Sequence, residues 1–486
     1  MAGLPQFPRL PTHCTLLRTK VRAPVRAPVR GSVLIGVLWC VALLAVVVIG
    51  VLHTARMDLL VVKNYGDRIQ ARYLAVAGIE RAKALLYQDA RTRTRSAQNH
   101  SGRLFNASGE FRDVSLGRGA FRVFRSGRQD EGGGIIYGVS DEESRLNVNY
   151  ASSNELAQVD GMTPDIITAI LGWRGALDTT NAVAGEAEYY ASLRPPAQPR
   201  AGALETVREL LLVRGVTSQM LFGDDEHQNG FLPNASSAGD GALDSASQAS
   251  DVGGGWAGMF TVDSSVNNVS ASGQARVNIQ TADESTLKGV PGISADIARA
   301  IVAYRGQHQY QSIADLLDVT AAGQDQGNDL NAANLAQRRQ GARAQQQGQP
   351  GQPAGPRVIS PELLMDIADD VTTVSGQQVG GPINLNTASL DVLSCLPGLD
   401  RQLAQAIISY RQSSGFFPNI AWLLKVPGLT EDIFKQVALL VSARSETYRI
   451  LSEGRVNSTG VRQRVQAIVH VGLNEVTTLS YREDDL

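Results

Sequence analysis

The chain has 486 residues, 43% of them apolar and 19% charged, which is enough for two or three domains and too apolar for global disorder. Its net charge of −2 is unevenly spread: residues 1–31 hold six bases and no acid, so the other 39 bases face all 47 acids at a net of −8. That balance argues against a general nucleic-acid binder, and no HExxH, GxSxG, GxxxxGK[ST] or GxGxxG pattern points to common hydrolase or nucleotide chemistry.

The first segment, residues 1–31, is a basic leader (Arg9, Arg18, Lys20, Arg22, Arg26, Arg30) ending in a proline-rich stretch that will not fold. Residues 33–52 then read VLIGVLWCVALLAVVVIGVL, twenty residues with no charge and no proline. A helix of that length spans roughly 30 Å, the thickness of a bilayer's hydrocarbon core. Basic residues lie only on its amino-terminal side, so the start of the chain is expected in the cytoplasm and the remainder across the membrane. The run is longer than a secretory signal core, and no small-x-small cleavage site follows it.

The helical pattern continues past the span. Val62, Tyr65, Ile69, Tyr73, Val76 and Ile79 recur at spacings of three and four, and no proline occurs between Ser32 and Ala90. The spacing predicts one helix over 32–90, about 90 Å long, with this stripe as its packing face. Alternation then predicts strands at 120–126 and 134–140, and again at 448–456, 461–471 and 475–482. Strands at both ends with helices between imply one antiparallel sheet, 91–145 plus 446–486, interrupted by a helical insertion at 146–445. The fold class expected is therefore α+β.

Three segments inside the insertion align with one another. They begin LNVNYASSNEL at 146, VNIQTADESTL at 277 and INLNTASLDVL at 383, and their second helices end in WRG, YRG and YR. Each reads as a strand, a capped helix, a glycine hairpin and a second helix, giving repeats at 146–175, 277–319 and 383–430. Linkers rich in Gly, Ser, Gln and Pro are expected at 223–257 and 321–357. Of three cysteines, only Cys395 lies beyond the apolar run, so no disulfide can form there within the chain. Two acidic triplets, Asp141-Glu142-Glu143 and Asp224-Asp225-Glu226, are clustered carboxylates of the kind calcium uses, though no EF-hand loop is present.

The basic leader, the Gly31-Ser32 junction, the apolar run and NYGDRIQARYLAVAGIERAKALL together resemble the signal and spine helix of type IV pilins and type II secretion pseudopilins. The tryptophan in the span and ARYLAVAGIERA resemble most the K family of minor pseudopilins. The resemblance implies cleavage by prepilin peptidase after Gly31 and methylation at Ser32. It also implies a single-pass inner-membrane protein with its bulk in the periplasm, a pilin-like α+β frame, and a non-catalytic part in initiating or capping the pseudopilus. Implied partners are I- and J-like minor pseudopilins, the major pseudopilin, the secretin and secreted cargo. No cofactor is required, and calcium is one the family can bind, at Asp141 and Glu142 or at Asp224 and Asp225. Most pilins carry glutamate at the fifth mature position, whereas Gly36 stands here, a departure the K family shares. A carboxylate there pairs with a neighbour's amino terminus inside lipid, so a subunit without it suits the end of a filament.

The third repeat also resembles helix-hairpin-helix modules of DNA-uptake receptors, which sets a membrane-anchored DNA-binding protein as the rival reading, alongside a type IV pilus minor pilin. A DNA-binding hairpin needs a second glycine so that backbone amides reach a phosphate. Thr163, Ser294 and Asp400 occupy that position, and nucleic acid is not expected as a partner.

Overall fold

The computed structural model describes residues 32–176, 180–223, 255–321 and 356–483. The basic leader, Gly31, and all but the ends of the linkers 223–257 and 321–357 lie outside the described residues. The chain divides into two compact parts, Met1–Tyr65 and Gly66–Leu486. In the first, the described residues are all helix, and Val33 to Leu60 stand exposed, Trp39 at 67% and Leu59 at 70%. So much bare apolar surface on one helix belongs in lipid rather than in water.

This helix, α1, runs Ser32–Arg95, five residues beyond the predicted end. Arg93 and Arg95 in its last turn complement the helix dipole, and Thr92, Thr94 and Ser96 return their hydroxyls to the carbonyls of Gln88, Ala90 and Thr92. Ala97, at φ 49°, ends it in the left-handed conformation of a C-terminal cap.

In the second part, α1 lies on an antiparallel sheet. Among the described residues the order is Val114–Leu116, Gly119–Val123, Thr447–Val456, Arg462–Val471, Val476–Arg482, with Ser140–Asp141 also pairing Thr447–Val456. The three carboxy-terminal strands lie where alternation places them. The predicted pair at 120–126 and 134–140 is reduced to Arg125–Ser126 against Ile135–Ile136, because Gly132, Gly133 and Gly134 all take positive φ and turn the chain away. Gly119–Val123 instead pairs with Thr447–Val456, over 300 residues later. Leu74, Ile79, Leu86, Phe121, Ile450 and Val465 fill the layer between helix and sheet. Burying each stabilises the fold by about 1.5–3 kcal/mol.

The insertion between these strands consists of three units with a common plan. Each opens with a two-residue strand, passes through two helices about a glycine turn, and closes on a second two-residue strand parallel to the first. The pairs are Leu146–Asn147 with Phe260–Thr261, Val277–Asn278 with Val371–Thr372, and Ile383–Asn384 with Val441–Ser442. Helices carry the insertion, and these ladders, with Ser265–Asn267 against Gln378–Gly380, tie it. The closing strands extend each unit past the end of its sequence repeat, to 261, 372 and 442. One apolar core runs through all three, with Leu156, Ile170, Leu287, Ile301, Leu393 and Ile407 in equivalent helices.

Candidate functional site: the repeated hairpins, the long helix and the acidic triplet

Each unit is braced internally by side chains at matching positions. Asn147, Asn278 and Asn384 accept, through Oδ1, the amides of Asn149, Gln280 and Asn386 at 2.9 Å, fixing the turn after the opening strand. The arginine that ends the second helix reaches back to that turn. Arg174 donates to the carbonyls of Val148 and Ala151, Arg305 to those of Ile279 and Ala282, and Arg411 to those of Leu385 and Ala388 at 2.9 and 2.8 Å. The arginine of the WRG and YR signature is thus committed to buried backbone carbonyls.

The hairpins turn on Gly161, Gly292 and Gly398, with φ of 76°, 94° and 73°. The residues where a phosphate-binding hairpin has its second glycine are helix N-caps: Thr163, Ser294 and Asp400 accept the amides of Ile166, Ile297 and Leu403. Side-chain oxygens therefore sit where a phosphate oxygen would have to be. Asp165, Asp296 and Asp400 add exposed carboxylates to the same three ends. These hairpins thus present exposed carboxylates and capped helix ends rather than free backbone amides.

The packing face predicted for α1 needs correction. Val62, Tyr65, Ile69 and Tyr73 are 69, 67, 38 and 64% exposed, Val76 is half-buried, and only Ile79 is buried. The sheet lies on the other side of the helix, on Ala71, Leu74, Ala75, Gly78, Ile79 and Ala82. At 100° per residue, Ile69 and Tyr73 point about 160° away from Ala71 and Ala75. Small residues win that face because the strand Thr447–Val456 comes too close for a tyrosine. A Cβ on Gly454 would stand 2.0 Å from the carbonyl oxygen of Ala71. Gly36 has no atom within 4 Å of its Cβ position, and Ser32 is the first residue of α1.

Of the acidic triplets, Asp224 and Asp225 lie outside the described residues. Asp141, Glu142 and Glu143 are buried. Glu142 meets Arg449 at 2.6 Å and Arg145 at 3.5 Å and accepts the Thr261 hydroxyl. Burial pushes its carboxyl up, but the two guanidiniums hold it below the usual range. Asp141 Oδ2 accepts from Asn384, Thr387 and Ser445, and its Oδ1 accepts the Glu143 amide. Asp141 is thus met by neutral donors, whereas Glu142 is matched by two guanidiniums and its Oε1 makes ion pairs without a hydrogen bond. No group of three or more ligating side chains suited to a metal occurs among the described residues. The partners Asn384, Thr387, Ser445 and Arg449 are over 240 residues from the triplet in sequence, and nothing local announces them.

Comparison with known proteins bears on this arrangement. The family model of type II secretion system protein K matches residues 154–222, which lie in the first unit. This segment is similar to protein K. The helix-hairpin-helix model matches residues 272–332 and 378–442, in the second and third units. The protein K likeness, the membrane-length helix and the hairpin units thus stand together in one α+β chain. Among curated proteins, endonuclease/exonuclease/phosphatase family domain-containing protein 1 of Mus musculus is 29% identical over 157 residues, 32% of this chain and 26% of that protein. Transcriptional accessory protein Tex of Neisseria gonorrhoeae is 45% identical over 56 residues, 12% of this chain and 7% of that one. The chain spans about a quarter of the length of the first of these relatives. Among solved structures, the GspK-GspI-GspJ complex of the enterotoxigenic Escherichia coli Type 2 Secretion System matches with a TM-score of 0.39 and 11% identity, over 88% of this chain and 98% of that one.

Proposed function

We propose that the chain is a non-enzymatic minor pseudopilin of protein type K, anchored by residues 33–52 and acting at the tip of the pseudopilus. The protein K segment at 154–222 carries this reading, in a chain whose long apolar helix continues under a sheet. On this reading prepilin peptidase cuts after Gly31 and methylates Ser32, and the rest of the chain stands in the periplasm. The exposed stripe of Ile69 and Tyr73 would meet the helices of I- and J-like minor pseudopilins and the major pseudopilin. Gly36 offers no carboxylate to a neighbour's amino terminus inside lipid, which favours a terminal place in the filament. The hairpin units would face cargo or the secretin, and no cofactor is needed.

The test is the intact mass of the membrane-extracted protein from cells with active prepilin peptidase. A chain beginning at methylated Ser32 is expected; retention of residues 1–31, or cleavage beyond residue 52, would overturn the assignment. The rival DNA-receptor reading is disfavoured by the capped hairpins. It would be revived by salt-sensitive duplex binding of the purified protein in a gel shift.

A further inference from the structure

We propose that the helical insertion is a separate body hinged on the helix–sheet frame, and that Asn99 is the latch that fixes its orientation. Within Gly66–Leu486 the buried apolar residues form two cores. One holds α1 against the sheet, with Leu74, Phe121 and Ile450, and the other runs through the hairpin units, with Ile170, Ile301 and Ile407. The chain passes between them at two places, from Asp141 to Leu146 and from Ser442 to Thr447. These crossings adjoin: the Glu142 amide donates to the Thr447 carbonyl at 3.0 Å, and Asp141 accepts the Ser445 hydroxyl and the Asn384 amide group. Two crossings side by side form one pivot.

Asn99 lies in the loop after α1 and is 7% exposed. Its Nδ2 donates to Asp369 Oδ1 in the second unit and to the Pro418 carbonyl in the third, both at 2.9 Å. Its Oδ1 accepts from Arg444 Nε, in the returning crossing, at 3.0 Å. On the frame side, the Asn99 carbonyl accepts from Arg93 Nη1 at 2.9 Å, and Arg93 pairs with Asp89, also on α1, at 3.0 Å. Asp369 is held in turn by Arg276 at 3.0 Å and by the Ala271 amide at 2.6 Å. One amide side chain thus joins the end of α1 to two hairpin units and to the exit from the third. A second arm supports it: Asp130, in the turn Gln129–Glu131, reaches Arg411 of the third unit at 2.8 Å. The Phe416 ring of that unit meets His100 edge-on, with centroids 4.3 Å apart. His100 Nε2 and Arg444 Nη2 are buried along this seam without a hydrogen bond, so the two bodies do not satisfy one another as a single core does. A seam held by directional bonds loosens when their shared partner is removed, whereas a merged apolar core does not.

Pulsed electron double resonance on the spin-labelled full chain in detergent micelles reads the orientation, with Cys14, Cys40 and Cys395 replaced by alanine. One label pair spans the seam, at the exposed positions Ala84→Cys on α1 and Ala303→Cys in the second unit. The other, Ala303→Cys with Gln405→Cys in the third unit, lies within the insertion. With Asn99 intact, each pair should give one narrow distance distribution. Asn99→Ala removes the latch, and Asn99→Asp keeps the acceptor for Arg444 while losing both donors. Each should widen the distribution across the seam by about twofold or more and leave that within the insertion unchanged, because bodies joined by a polar seam move once it is cut. A distribution across the seam that stays narrow in both variants, or is already broad with Asn99 intact, would overturn the proposal. Widening of both pairs together would overturn it too, as the mark of general unfolding. So would failure of both variants to fold, since a latch lies between bodies that each keep their own core.

Discussion

Gly454 and Ala71 meet across the helix–sheet layer so closely that a Cβ on the glycine would lie 2.0 Å from the alanine carbonyl oxygen and 2.5 Å from the Ala75 amide. Both neighbours are backbone, so neither can swing aside. Gly454→Ala is expected to destabilise the protein by about 1–3 kcal/mol, seen as a lowered melting temperature. Gly66→Ala, on the same helix with nothing within 4 Å, should instead stabilise by up to about 1 kcal/mol through helix propensity.

Opposite faces of α1 should respond oppositely. Leu74→Ala empties a buried position and is expected to cost about 2–5 kcal/mol of stability. Ile69→Ala with Tyr73→Ala should leave the stability within about 0.5 kcal/mol of wild type. The same pair should weaken co-purification with I- and J-like pseudopilins, which Leu74→Ala affects only by unfolding.

The braces at the helix ends give a third expectation. Arg411→Lys replaces a planar fork with one ammonium, which cannot keep both the carbonyls of Leu385 and Ala388, held by one nitrogen, and the Asp130 carboxylate, held by the other. A loss of about 1–3 kcal/mol in urea unfolding should follow. Arg299→Lys, an exposed position in the second unit, is the control and should change little.

Asp400 caps the second helix of the third hairpin, and Asp400→Ala should cost about 1 kcal/mol. It should not create salt-sensitive binding to duplex DNA in a gel shift. Gain of such binding would mean that the cap alone had been masking a phosphate site.

Asp263 supplies a pH test. Burial, with the nearby Glu142 charge, pushes its carboxyl up to about 6. A raised carboxyl withdraws stability as pH climbs from its unfolded value of about 4 through the folded one. Asp263→Asn should therefore flatten the melting-temperature profile between about pH 4 and pH 6 and raise it at neutral pH.

The parts legible in the sequence are those governed by neighbours along the chain. The helix of α1 follows from an unbroken stretch without proline, the capped first helix of each repeat from residue type and position, and the last three strands from alternation. The face of α1 misled because hydrophobic periodicity finds large side chains. The sheet selected Ala71, Ala75 and Gly78, whose merit is being small beside Gly454. The partner of Gly119–Val123 and the closing strand of each hairpin unit depend on pairing across long stretches of chain, which no local pattern encodes. The same distance hid the acidic triplet. Asn384, Thr387, Ser445 and Arg449 reach it from over 240 residues further along the chain.

Because every hairpin unit opens and closes on adjoining parallel strands, the chain enters and leaves each one through the same doorway. A duplicated copy can thus be spliced into the line, or a long tract threaded inside one, without displacing the residues that follow. A chain built this way can grow by whole beads while its outer sheet continues to find the same partners.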